Sequence, residues 1–65
     1  MIVYAIITVN GLSKELDQIC YSKQEATREK KDLRAMGFEA NEIKVIPFEN
    51  EALAFEYCEA KGIHC

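Results

Sequence analysis

Three cysteines, one histidine and eleven carboxylates are the side chains of this 65-residue chain whose chemistry could reach beyond solvation. Cys20, Cys58, His64 and Cys65 could together offer four soft ligands to zinc. Structural zinc sites draw on close ligand pairs such as C-x-x-C or H-x-x-x-H, because one short loop then fixes two corners of the tetrahedron. No such pair occurs here, so no metal site is assigned. Cys20 and Cys58 fall on the apolar faces of expected elements, where a thiol behaves as a small hydrophobe. His64 and Cys65 stand side by side at the end of the chain, with no third group in view to orient a nucleophile. Cys65 therefore reads as an exposed thiol open to intermolecular oxidation, and no catalytic residue is assigned.

The eleven acids cannot be sorted into an acid–base pair by spacing. Their distribution says more. Residues 1–38 carry six basic and five acidic side chains, whereas residues 39–65 carry two basic and six acidic ones. Glu39, Glu42, Glu49, Glu51, Glu56 and Glu59 thus make the second half an acidic surface, either simply solvated or a docking site for a basic partner protein. Lys23, Arg28, Lys30, Lys31 and Arg34 could instead meet phosphates. Glu25, Glu29 and Asp32 are interleaved with them, which favours a solvated face and makes nucleic acid the secondary expectation. Tyr4 is the single aromatic placed to stack a base, without an RNP-like pattern around it. Gly11, Gly37 and Gly62 are isolated, so no phosphate-cradling loop and no cofactor are expected.

The elements that must position these groups are legible in order. A chain this small buries only ~60% of its unfolded surface, which leaves little room for an enzyme cleft beside a core. With 49% apolar and 29% charged residues it is expected to fold, as one domain over residues 1–65. No apolar run approaches the ~20 residues of a membrane span. Ile2 to Val9 lacks the basic flank and cleavage site of a signal peptide. An odd set of cysteines without a leader points to reduced thiols and a cytoplasmic setting.

Ile2 to Val9 is rich in β-branched residues and ends at Asn10-Gly11, a hairpin signal. The turn lies between Asn10 and Lys14: a two-residue turn at Asn10-Gly11 would pair Val9 with Leu12, and a wider loop would shift that register. The second strand is expected over about Glu15 to Tyr21, with Leu16, Gln18 and Cys20 on one face. Ser22 and Glu25 have capping-box spacing and open a helix from Lys23 to Met36, closed by Gly37 with Phe38 folded back on Leu33. A third strand covers Asn41 to Phe48, weakened at Pro47. Asn50 caps a last helix, Glu51 to Lys61, closed by Gly62 with Ile63 folded back on Cys58.

The order β-β-α-β-α predicts an α+β fold. It is a two-layer domain with a three-stranded antiparallel sheet of order 2-1-3 and the helices packed on it. The first strand is apolar on both faces. If the helices cover only the side of Ile2, Tyr4 and Ile6, then Val3, Ala5, Ile7 and Val9 form an open face for self-association as a homodimer. The rival arrangement sends the second helix across that face and completes a monomer. Its narrow apolar stripe makes the dimer the expectation.

Tyr21-Ser22-x-x-Glu25-Ala26, followed by Leu33-x-x-Met36-Gly37-Phe38, resembles the punctuation of many short orphan proteins encoded by bacteriophages. The resemblance covers residues 21–38. It implies a viral accessory protein that binds and modulates or inhibits a host protein in the host cytoplasm. It brings no catalytic residues with it.

Overall fold

The run Val3–Asn10 becomes β1, and every other element is placed relative to it. The computed structural model describes residues 1–64. The expectation for Cys65 lies outside the described residues. β2 (Ser13–Cys20) and β3 (Ile43–Phe48) flank β1, each antiparallel to it, in the order β2-β1-β3. Helix α1 (Lys23–Ala35) joins β2 to β3, and α2 (Glu51–Ala60) follows β3. The α+β class, the strand order and both helices are those the sequence predicts.

The hairpin turn falls within the expected span, one residue later than the Asn10-Gly11 alternative. Asn10 pairs with Ser13, so the loop is Gly11-Leu12 and Val9 faces Lys14 rather than Leu12. Gly11 has φ +64° at the first central position, a conformation that glycine adopts without the steric cost of a Cβ. Leu12 is left fully exposed at the tip. The register then shifts between Ile6 and Ile7: Ile6 faces Gln18 but Ile7 faces Leu16, which leaves Asp17 as the extra residue of a bulge. The bulge breaks the expected alternation of Leu16, Gln18 and Cys20. Cys20 packs with Ile6 on one side of the sheet, and Leu16 packs with Ile7 on the other.

Both helix starts are capped by the expected residue, although at α1 only the Ser22 half of the expected capping box forms. Ser22 Oγ accepts from the Glu25 N–H at 3.1 Å, and Asn50 Oδ1 accepts from the Leu53 N–H at 2.9 Å. Both ends fold back as read, with Phe38 N donating to Leu33 O (3.2 Å) and Ile63 N to Cys58 O (2.8 Å). The expected start of the third strand at Asn41 is instead a short 3-10 turn, Ala40–Glu42, where Glu42 Oε1 accepts from the Glu39 N–H at 2.9 Å. β3 begins only at Ile43.

The helices lie on opposite faces of the sheet. Ala26 and Leu33 of α1 pack on Ile6, Cys20 and Ile43, whereas Cys58 of α2 packs with Ile7 and Ile63. This is the rival arrangement of the second helix, and it corrects the open face proposed for self-association. Val3 (4% exposed), Ala5 (0%) and Ile7 (1%) are buried within the single chain, and Val9 is half-buried. Small side chains make this possible. The fully buried residues of α2 are Ala54 and Cys58, so the helix can approach the sheet closely despite its narrow apolar stripe. Tyr57, tilted at 53° to Phe48 with ring centroids 5.3 Å apart, adds a broad contact at one side.

Both sheet edges are managed. His64 lies parallel to Glu15 along the outer edge of β2, its N–H donating to Lys14 O (2.9 Å) while its carbonyl accepts from Leu16 N (2.7 Å). The outer edge of β3 carries Pro47, which has no N–H to offer a further strand.

Candidate functional site: the groove between α1 and β3

Helix α1 sorts its charges onto two flanks. Lys23, Thr27, Lys30 and Arg34 recur at intervals of three and four residues and share one flank. Glu25, Glu29 and Asp32 share the other. The buried stripe of Ala26 and Leu33 between them fixes which flank faces which strand. The basic flank faces β3 and the acidic flank faces β2.

Only two of the thirteen residues of α1 are fully buried, so the helix does not span the whole face of the sheet. The uncovered corner is the β1–β3 side. Tyr4 pairs with Pro47 and Ile6 with Val45, which puts Val45 and Pro47 on the α1 face beside Tyr4. Ile2, Tyr4, Val45 and Pro47 form the apolar floor of a groove of about 690 Å3, and Lys23 and Lys30 stand at its helix side. Ile2 is 45% exposed and Val45 36%. A second hollow of about 470 Å3 continues along the helix, sharing Thr27 and Lys30 and adding Lys31, Arg34 and Phe38. No carboxylate lines either one. In a chain with a net charge of −3, this is a continuous cationic and apolar strip.

On the other flank, the bulge brings Asp17 beside Glu29. Their shared hydrogen bond, then burial, then the charges of Asp17 and Asp32 hold the Glu29 carboxyl above its usual range. Burial likewise pushes the Cys20 thiol up, against the hydrogen bond from Gln18. A protonated thiol with no exposed surface is a poor nucleophile, which fits the reading of Cys20 as core. Cys58 is equally buried. Among the described residues, no group of three or more His, Cys, Asp or Glu side chains gathers as metal ligands would. No helix is long and apolar enough to cross a membrane.

The six acids expected to form one docking surface are not brought together. Glu39 and Glu42 sit at the 3-10 turn before β3, while Glu49 and Glu51 follow its far end. The six residues of β3 separate these pairs by roughly 20 Å. Glu56 and Glu59 lie farther along α2, on the opposite side of the sheet from α1. Three of the six have internal partners, Glu39 and Glu42 capping one 3-10 turn reciprocally. Glu51 accepts the hydroxyl hydrogen of Tyr21, a bond that also raises the Tyr21 phenol. Counting charge along the chain merged groups that the fold keeps apart.

The groove was missed in the sequence for a related reason. Lys23 to Arg34 sum to a weakly basic helix, and a sum discards direction. The signal was present in the spacing 23, 27, 30, 34. What could not be read was that the open corner of the sheet lies beneath that flank. The chain matches no family model, no curated protein and no solved structure.

Proposed function

We propose that the protein is a non-enzymatic protein-binding module that acts in a host cytoplasm, in the manner implied by the resemblance of residues 21–38 to bacteriophage accessory proteins. Its α1–β3 groove receives a segment of a host protein that carries apolar and acidic side chains, and so modulates or inhibits that protein. One observation carries this reading: the sheet corner at Ile2, Tyr4, Val45 and Pro47 is apolar and uncovered, with Lys23 and Lys30 in its lining and no carboxylate there. Burying such side chains is worth about 25 cal/mol per Å2, and the lysines favour a partner with carboxylates beside its apolar anchors.

A second copy of the chain is a poorer occupant. Its acidic helix α2 lies on the sheet face opposite the groove, so docking α2 into a neighbour's groove builds an open stack rather than a closed dimer. Nucleic acid is the second reading, favoured by Tyr4 beside Lys23 and Lys30. Against it, the groove offers few aromatic platforms, and the acids Glu49 and Glu51 follow β3 just beyond Pro47.

Affinity capture from host lysate with the wild type and with Val45→Asp tests the proposal. The partner is expected on the wild type and absent from Val45→Asp, with both proteins melting alike. Equal capture by both removes the groove from the reading. Retention of oligonucleotides at low salt that weakens steeply as salt rises would replace a protein partner with nucleic acid.

A further inference from the structure

The α2 face of the sheet carries a second basic feature, independent of the groove. Lys44 pairs across from Ile7, and Lys14 across from Val9, so the two lysines stand on β3 and β2 with the apolar β1 between them. Two strand spacings across and two residues along separate their backbones by about 12 Å. Each side chain is long enough to lean over Ile7 toward the other. Lys61, at the C-terminal end of α2, comes in from above, its Nζ 6.0 Å from the centre of the Tyr57 ring. The three side chains line one cavity of about 180 Å3, together with Ile7, Ile46, Tyr57 and Ile63. No carboxylate lines it.

Three of the eight basic residues of an acidic protein thus converge from three separate elements on one small space. An anion in a space that three lysines border and no carboxylate lines is attracted by all three. At about 180 Å3 the cavity suits a compact oxyanion and is too small to take in a whole peptide or nucleic-acid strand. Ammonium groups on flexible stems bind such a group as point charges from several directions, without the planar match a guanidinium needs. Tyr57 forms part of the wall, beside Lys61.

We infer that Lys14, Lys44 and Lys61 form a binding site for a phosphate-type oxyanion, either free phosphate or the phosphate group of a small monoester. Amide chemical shifts of the protein, titrated with inorganic phosphate and separately with O-phosphoserine, read the site directly, with sodium chloride at matched ionic strength as the control. Phosphate is expected to move the signals of residues 14, 44, 57 and 61 saturably and to leave those of Lys23 and Lys30 in place. Lys44→Gln and Lys61→Gln, both at exposed positions, are each expected to weaken binding about three- to tenfold without a change in melting temperature. Tighter binding of O-phosphoserine assigns the site to a phosphate monoester, and equal or weaker binding assigns it to the free ion. Shifts that chloride reproduces, shifts spread evenly over all lysines, or undiminished binding by both variants would overturn the inference.

Discussion

Ile6 and Ile7 are consecutive in β1, are 0% and 1% exposed, and belong to two separate cores. Ile6 packs with Ala26 and Leu33 of α1, and Ile7 with Cys58 and Ile63 at the end of α2. Successive side chains of a strand point to opposite faces, so a central strand covered on both sides is the shared wall of two cores. The bulge at Asp17 serves both: it lets Leu16 turn to the Ile7 side while Cys20 stays on the Ile6 side.

Ile6→Val and Ile7→Val should each cost about 0.5–1.5 kcal/mol in denaturant unfolding, the usual result of removing one buried methyl group. The two cores share no side chains, so the cost of the double variant should be close to the sum of the two single ones, with only the shared backbone of β1 to couple them. A large deviation would mean that the cores communicate through β1.

Ile7→Glu separates the observed fold from one with an open sheet face. Ile7 is buried beneath α2, and an unpaired carboxylate there has no partner to offset its desolvation. Circular dichroism should show loss of the fold. A folded Ile7→Glu protein that has merely changed its sedimentation would show that this face is an interface between chains.

The caps of α1 are worth different amounts for different reasons. Ser22→Ala removes the acceptor for the Glu25 N–H and should cost about 1 kcal/mol. Gly37 has φ +113° with open space around the position of a Cβ, so Gly37→Val suffers from backbone strain rather than collision. It should cost more than Ser22→Ala in thermal melts, and neutrality of both would place the ends of α1 elsewhere.

Glu29 holds its proton more tightly in the folded chain than in the unfolded one, because it shares that proton with Asp17. The pair therefore favours folding fully below the ordinary glutamate value of 4.5. That contribution is lost as pH rises through the raised value, leaving two repelling carboxylates at neutral pH. Glu29→Gln should raise the melting temperature at neutral pH, with the gain shrinking toward zero below about pH 4. A gain independent of pH would exclude the shared proton as its source.

Cys20 and Cys58 have no exposed surface, so alkylation of the native protein should spare both until it unfolds. Peptide mapping after a short iodoacetamide pulse, with and without denaturant, reads each site. Rapid native labelling of Cys20 would contradict its burial against Ile6.

Local signals in the chain were sufficient for the elements. Ser22 and Asn50 as caps, Gly37 and Gly62 as stops, and the β-branched run of β1 each act over a few residues. The backbone groups they satisfy lie within one turn, and the same residues carry out the same roles in the structure. The strand order followed as well, since β1 alone is apolar on both faces and suits the centre.

What only the tertiary structure decided is everything that depends on direction between elements. The side on which α2 lies turned on how closely Ala54 and Cys58 let it approach the sheet, a property of packing that no apolar stripe displays. Its placement buried Val3, Ala5 and Ile7, and it set Glu56 and Glu59 on the face away from the groove. The bulge at Asp17 had no marker in the sequence, yet it reversed the facing of Leu16 and brought a carboxylate against Glu29. Neither basic site is a sequence motif. Lys23 and Lys30 border a groove because α1 leaves the β3 corner uncovered, and Lys14, Lys44 and Lys61 converge because strand register and a helix end meet there. Residues 14, 44 and 61 lie far apart along the chain, and only folding gives them a common neighbourhood.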